Sequence, residues 1–411
     1  VNPITADKLP FDSCIDRRYA PETSVVLRYM NAVKFKAEAD EDQKYKDLLR
    51  TTSIKEGARI FHLMSYRGVE IHILDETSLM HSKTLKSIDA CISMAHCKFQ
   101  GYNRVVLESG GNTGTALTEY GQKAGIETFL FIPEDNLQLM NSRSFLAEKS
   151  HLISVEDAGQ VKKAAHLFGS INGIAHIPDI QWRYQASMLR GLFILEHMLS
   201  EKKFDWITQT ISAAFGPIGI YRILSRFKED LGDLPGFMGV QQLANCPIYR
   251  AWKSRRSVIE PVETGSVEKL LTRVMYDSQP QTYGSFNEFI DLLTAVKGDL
   301  TTINHTEFDD FLKHEFDGAV ILRLLRDNGI EITLRDGEVI EKTGLISLAG
   351  TLKAIDSGDL AAGSRVLCCV TSGMTEADGR AAPEFVIRDP EIMVMEYSRK
   401  LFSGNNHVKS S

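Results

Sequence analysis

From about residue 70 the chain alternates short β-rich runs with longer runs of helical periodicity, and no other feature constrains its fold as strongly. EIHIL at 70–74 reads as a strand. It is followed by a helix over 82–96, in which Leu85, Ile88, Ile92 and Ala95 recur at helical spacing. Further strands are expected at 102–109, 128–133, 151–155, 206–211, 237–241 and 364–373, and helices at 112–125, 136–149, 158–169 and 218–229. The pattern predicts an α/β fold with open, mainly parallel sheets and helices on both faces. Ligands bind such folds beyond the carboxyl ends of the strands, so the loops after residues 74, 108, 211 and 370 are the ones to read for chemistry. Residues 250–330 are less regular, with a loop at 278–285 and helices at 286–296 and 306–327.

Several function classes are disfavoured at once. A formal net charge of −7 gives no electrostatic footprint for nucleic acid or an anionic membrane, and neither is expected as a partner. No run of 18 apolar residues suggests a membrane-spanning helix. The first residues lack the charged-then-apolar order of a secretory signal, so a cytoplasmic location is expected. Cys14, Cys91, Cys97, Cys246, Cys368 and Cys369 form no CxxC pair and no Cys/His run with zinc spacing. They read as reduced, largely buried thiols, and no metal site is expected. A GxGxxG fingerprint with its acidic partner is missing, which argues against a dinucleotide fold. The charge-rich stretch 37–48 reads as a solvated helix face or loop, and the tail 401–411 as frayed.

Four segments carry candidate chemistry. ESGGNTGTAL at 108–117 runs from a strand through a glycine pair into a helix, whose first N–H groups suit an anion; an ordinary strand-to-helix turn has the same composition. HSKTLKSIDA at 81–90 sets Lys83 and Lys86 beside an apolar face. A lysine desolvated at the mouth of a sheet has a lowered pKa and can bond to a carbonyl, whereas most helix lysines are simply solvated. SAAFGPIG at 212–219 can turn backbone N–H groups toward a phosphate. VTSG at 370–373 ends a buried strand on two hydroxyls.

Together and in this order, these segments resemble the fold-type II pyridoxal 5′-phosphate (PLP) enzymes, and most of all threonine synthase. MHSKTLKSIDA is similar to the P-T-x-S-F-K-D-R-like motif of that group, and its register assigns the PLP-bonding lysine to Lys86 rather than Lys83. SGGNTG resembles the S-x-G-N-T loop. The resemblance gives Asn112 the ring contact, and Ser109, Gly110, Asn112 and Thr113 the substrate carboxylate. The phosphate loop corresponds to Ala213, Ala214, Phe215 and Gly216, and the strand-end hydroxyl opposite the pyridine nitrogen to Thr371 or Ser372. FMGVQ (237–241), PIYRAW (247–252), GEVIEKTGLISLAG (337–350) and TTSIKEGARIFHL (51–63) match further family segments, so the likeness spans roughly residues 50–375. It implies the two-domain, tryptophan synthase β-like fold. Residues 1–90 and 179–400 would form the large PLP-binding domain and 91–178 the small one. A homodimer is also implied.

The departures from the family bear on the substrate. Ser87 stands where the motif has aspartate, the phosphate loop has lost most of its glycines and gained Phe215, and SGMTEAD (372–378) replaces the usual tail of the last motif. DIQWRYQAS (179–187) resembles the family's N-P-x-R-x-x-G-Q segment and supplies Arg183 for an anionic leaving group, although Ile177 and Pro178 replace the polar residues before it. The resemblance therefore implies elimination or replacement at the β or γ carbon of an O-activated, phosphorylated amino acid in amino-acid biosynthesis. A β-replacement synthase of the cysteine or cysteate type is one alternative. The other is a non-catalytic relative that uses the cleft only for binding.

Overall fold

The computed structural model describes residues 11–140, 142–260, 269–276, 280, 284–373 and 381–402. Residues 1–10, most of the expected loop 278–285, residues 374–378 of SGMTEAD and residues 403–411 of the tail lie outside them. In chain order the strands of the two main sheets begin with β1 (Arg59–Tyr66), β2 (Val69–Asp75), β3 (Arg104–Glu108), β4 (Glu127–Pro133) and β5 (Ser150–Val155). They continue with β6 (Ala175–Ile177), β7 (Trp206–Thr210), β8 (Gly236–Gln242) and β9 (Asp299–Ile303). Two small hairpins follow, β10 (Glu315–Phe316) with β11 (Ala319–Val320) and β12 (Leu334–Arg335) with β13 (Glu338–Val339), before β14 (Arg365–Val370) and β15 (Phe385–Ile387).

The larger sheet has six strands in the order β1-β2-β14-β7-β8-β9, parallel except for the β1–β2 pair. The smaller has five, β15-β5-β4-β3-β6, all parallel. Because each parallel strand is fed by a crossover, the sheets are covered by helices and their strands read as near-continuous apolar runs. β4, for example, buries Thr128 through Ile132 without a break. This is the expected α/β architecture.

Three apolar clusters hold the layers together. One joins the helices Lys86–Phe99, Ile180–Ser200 and Phe215–Leu224 to one face of the large sheet, and a second lies under the helix Thr343–Asp356 on the other face. The third fills the small sheet against Val161–Asn172 and Pro390–Phe402, around Phe129, Phe131, Phe168 and Tyr397. Side chains buried this fully each stabilise the fold by about 1.5–3 kcal/mol. Segment 51–63 enters the core through Glu56, whose carboxylate accepts hydrogen bonds from Ser24 (2.7 Å), Ser53 (2.6 Å) and Tyr120 (2.6 Å).

Some expectations need correction. Segment 136–149 forms two short 3-10 turns, Glu134–Leu139 and Ser142–Phe145, because its polar residues bond elsewhere; the Asn136 amide, for one, donates to the carbonyl of Gly110 (2.6 Å). The helix expected over 306–327 is interrupted at Asp317–Gly318, where both φ angles are positive (50° and 82°) and a tight hairpin turn results. The C-terminal stretch expected in the large domain joins the small sheet instead. There β15 pairs with β5 and the helix Pro390–Phe402 packs on Val161–Asn172. Leu401 and Phe402, the start of the expected frayed tail, pack on that core. The stretch 37–48 lies mostly in the helix Ala39–Thr52. Cys91, Cys97, Cys246, Cys368 and Cys369 are buried and form no disulfide, and burial pushes the Cys97 thiol up to about 12. Among the described residues no helix is long and apolar enough to cross a membrane.

The helices Ile180–Ser200 and Phe215–Leu224 pack closely against each other beside the site, and Gly219 permits it. A Cβ on Gly219 would lie 2.3 Å from the Ser187 Cβ and 3.0 Å from the Tyr184 carbonyl oxygen. Gly219→Val should therefore lower stability by at least about 2 kcal/mol, against roughly 1 kcal/mol for Ile218→Val beside it. Urea denaturation reads both, and a Gly219→Val variant as stable as the parent would contradict this crossing.

Candidate active site

The carboxyl ends of both sheets open on a cavity of about 770 Å³. Every expected site residue lines it. Lys86, Ser109, Gly110, Asn112 and Thr113 come from the segments after β2 and β3, and Ala213, Ala214, Phe215 and Gly216 from the segment after β7. Arg183 lies on Ile180–Ser200, and Thr371 and Ser372 at the end of β14.

Lys86 opens the helix Lys86–Phe99. The turn before it is tied to β14, because the Leu85 N–H and the Thr84 hydroxyl both donate to the Thr371 carbonyl at 3.0 Å. Ser87, the departure from the family motif, is buried, and its hydroxyl accepts from the Ser82 N–H at 3.0 Å, closing the same turn. The Lys86 ammonium donates to Asp89 at 2.7 Å. Lys86 lines the cavity, whereas Lys83 sits in the left-handed turn ahead of it (φ 57°). The motif comparison missed Asp89; the signal available was its spacing of three from Lys86, which puts both on one helix face.

The glycine loop after β3 is organised by Ser109. Its hydroxyl oxygen accepts from the N–H groups of Gly111 (3.1 Å) and Gly114 (2.9 Å). Asn112 then begins a helix and its amide donates to the Ser372 hydroxyl at 2.9 Å, so the small sheet's loop touches the large sheet's central strand end. Ser372 meets a further motif, since its carbonyl accepts from the Gly344 N–H at 3.0 Å where the helix Thr343–Asp356 begins.

In the loop 212–216, Ala214 takes the left-handed conformation (φ 59°, ψ 15°) that a glycine would adopt freely. Such a residue with a Cβ stores on the order of 1 kcal/mol of strain. The Ser285 hydroxyl donates to the Ala213 carbonyl and helps to hold it. Phe215 starts the next helix, its ring 5.6 Å from the Arg183 guanidinium and edge-on to Tyr184. Beneath the loop lies a buried ionic group that sequence comparison did not single out. Arg190 donates to both Glu76 oxygens (2.5 and 2.6 Å) and to Gln209 (2.8 Å). Its residues come from three distant segments and carry no motif.

At the rim, ligand atoms of Glu108, His166 and His176 lie within 4.8 Å of one another, a grouping that could hold a metal ion and that sequence spacing did not reveal. Burial, with His166 and Arg183 nearby, pushes the His176 imidazole down to about 4, so it is neutral at pH 7. Its Nε2 is 3.8 Å from Glu108.

No protein-family model matches the chain. A cysteate synthase of Methanosarcina barkeri is 24% identical over 75% of this chain and 72% of its own length. A threonine synthase of Methanosarcina acetivorans is 24% identical over 82% of this chain and 80% of its own. Among solved structures, PLP-bound threonine synthase from Brucella melitensis superposes with a TM-score of 0.61 at 12% identity, covering 97% of this chain and 91% of that one. Diaminopropionate ammonia lyase from Escherichia coli gives a TM-score of 0.60 at 12% identity over 95% and 96% of the two chains. The fold is therefore that of the fold-type II PLP enzymes, as expected. By sequence the chain is a relative of the cysteate and threonine synthases, and the expectation of an enzyme is borne out with it.

Ser109→Ala removes the acceptor shared by Gly111 and Gly114, at a cost of about 1 kcal/mol. Amide hydrogen exchange at Gly111 and Gly114 should quicken while the core of β3 stays protected. Unchanged exchange at both glycines would show that Ser109 does not organise the loop.

Proposed function

We propose that this protein is a PLP-dependent enzyme catalysing elimination or replacement at the β or γ carbon of an O-activated amino acid. The observation that carries the reading is the convergence of Lys86, Asn112, Ser372 and the 213–216 loop on one cavity. These residues suit the cofactor. A lysine amine, strand-end hydroxyls and a helix N-terminus are all present, and a Cβ on Gly216 would fill the cradle at that terminus, meeting Gln209 at 2.7 Å and Arg190 at 2.8 Å. When bound, PLP supplies an electron sink for the negative charge left at the substrate Cα.

The chain's own residues have the following roles in this reading. Lys86 would hold the cofactor, and its Nζ would take the α-proton as general base. Asp89 orients that amine through their 2.7 Å contact. The N–H groups and side chains of Ser109, Gly110, Asn112 and Thr113 bind the substrate carboxylate at a helix N-terminus. Asn112 also contacts the ring. Ala213, Ala214, Phe215 and Gly216 hold the cofactor phosphate through backbone donors. Thr371 or Ser372 would present a neutral hydroxyl to the pyridine nitrogen. Arg183, whose guanidinium lies 5.6 Å from the Phe215 ring and lines the cavity, receives the anionic leaving group.

The cysteate synthases among the relatives support, as a second reading, a β-replacement synthase of the cysteine or cysteate type. The proposal also includes a homodimer and two domains. The small one comprises 91–178 with Phe385–Ile387 and Pro390–Phe402, and the large one the remainder of the described chain.

Borohydride reduction of the protein with PLP, followed by peptide mapping, should label Lys86. Lys86→Ala should lose the label and turnover together; a fully active Lys86→Ala enzyme would sink the reading. Product analysis with O-phosphohomoserine and O-phosphoserine separates the two substrate readings. With whichever is turned over, Arg183→Ala should lower kcat/KM by roughly 10- to 100-fold, the worth of a charge-assisted hydrogen bond. An unchanged kcat/KM removes Arg183 from the site.

A further inference from the structure

Arg190 is 1% exposed, yet only part of its hydrogen-bonding capacity is used. Nε and Nη2 donate to Glu76, and Nη2 also to Gln209. Nη1 is buried with no hydrogen-bond partner. An arginine offers five N–H donors, and leaving the two of Nη1 unmet in a buried site is costly. Native structures rarely do so without a ligand, ion or water to receive them.

The position of Nη1 indicates what that ligand is. It lies 2.8 Å from where a Cβ on Gly216 would be. Gly216 is the second residue of a ten-residue helix, so the unpaired N–H groups of the first turn open at the same point. Arg190 and Gly216 both line the cavity. Pro217, third in the helix, has no N–H, which removes a donor that the first turn of most helices supplies. The preceding residues Ala213, Ala214 and Phe215 cannot close on an anion as freely as glycines can. One fixed guanidinium offsets both deficits. Glu76 keeps the arginine charged and orients it, and the pair also makes the buried charge tolerable before any anion arrives.

Resting on the PLP reading above, we propose that Arg190 is a buried cationic anchor for the cofactor's phosphate, and that Gly216 is glycine to leave room for it. The phosphate monoester chemistry is shared by a phosphorylated substrate, so the test uses no substrate.

The full chain, wild type and Glu76→Gln/Arg190→Gln, is titrated with PLP and with pyridoxal, which lacks the phosphate, and binding is read from the absorption spectrum. The double variant leaves no unpaired buried charge. It should bind PLP about 10- to 100-fold more weakly, the loss of one charge-assisted hydrogen bond, with pyridoxal binding unchanged. Equal weakening of both ligands, or of neither, overturns the proposal and leaves Arg190 a structural residue. Should the double variant fail to fold, Gly216→Ala decides: its methyl group displaces Nη1 and should lower the same PLP-to-pyridoxal ratio, and an unchanged ratio overturns the proposal. If wild-type protein takes up neither ligand, the PLP reading itself fails. That result is distinct from a failure of Arg190 alone.

Discussion

Strand β14 ends at a point that three separate segments use. The Thr371 carbonyl closes the turn that aims Lys86, the Ser372 carbonyl receives the start of Thr343–Asp356, and the Ser372 hydroxyl receives Asn112 from the other sheet. β14 is also paired on both edges, with β2 and β7 in parallel register. A parallel strand bonded on both edges and packed on both faces cannot slip by one residue without exchanging the side chains that fill its two cores, so its end is a fixed coordinate. Residues from opposite ends of the chain can thereby meet within hydrogen-bond distance, although neither group is near the other in sequence.

Two of the cations around this point are arranged in couples with carboxylates. Lys86 faces Asp89 and Arg190 faces Glu76, and Lys86, Asp89 and Arg190 line one cavity with Glu76 buried against Arg190. Burial pushes the Glu76 carboxyl up, while contact with Arg190 pulls it back toward ionisation. A net-neutral couple can be carried into a low-dielectric interior where a lone ion could not, yet each member keeps donors or acceptors for a third group. A cavity lined in this way is polar in detail and nearly neutral in sum, which suits a ligand that brings its own charge.

Much of this was legible in the sequence. The alternation of β-rich and helical runs located β2 through β5, β7, β8 and β14 to within a residue or a few, because parallel strands buried on both faces leave long apolar signatures. The site motifs were legible for a related reason: a lysine after a strand, or glycines before a helix, is a local arrangement that survives in the local order of residues. What stayed hidden was non-local. Nothing near Arg190 announces Glu76, more than a hundred residues earlier, and no spacing joins Glu108 to His166 and His176. The broken helix at 306–327 is a different case. Its Asp317–Gly318 pair is a hairpin signal that is present in the local sequence.

The small sheet takes β6 from residues 175–177 and β3 to β5 from residues 104–155, but its outermost strand, β15, from residues 385–387. Until that strand is made, the outer edge of β5 has no partner and the aromatic core around Phe168 lacks the helix that covers it. During synthesis at roughly 5–20 residues per second, the two hundred residues in between take on the order of ten seconds or more to emerge. For that interval the nascent chain carries an open sheet edge and an uncovered apolar face, the two features most prone to pairing with another chain. The order of the strands along the gene thus makes the small sheet early to begin and late to finish.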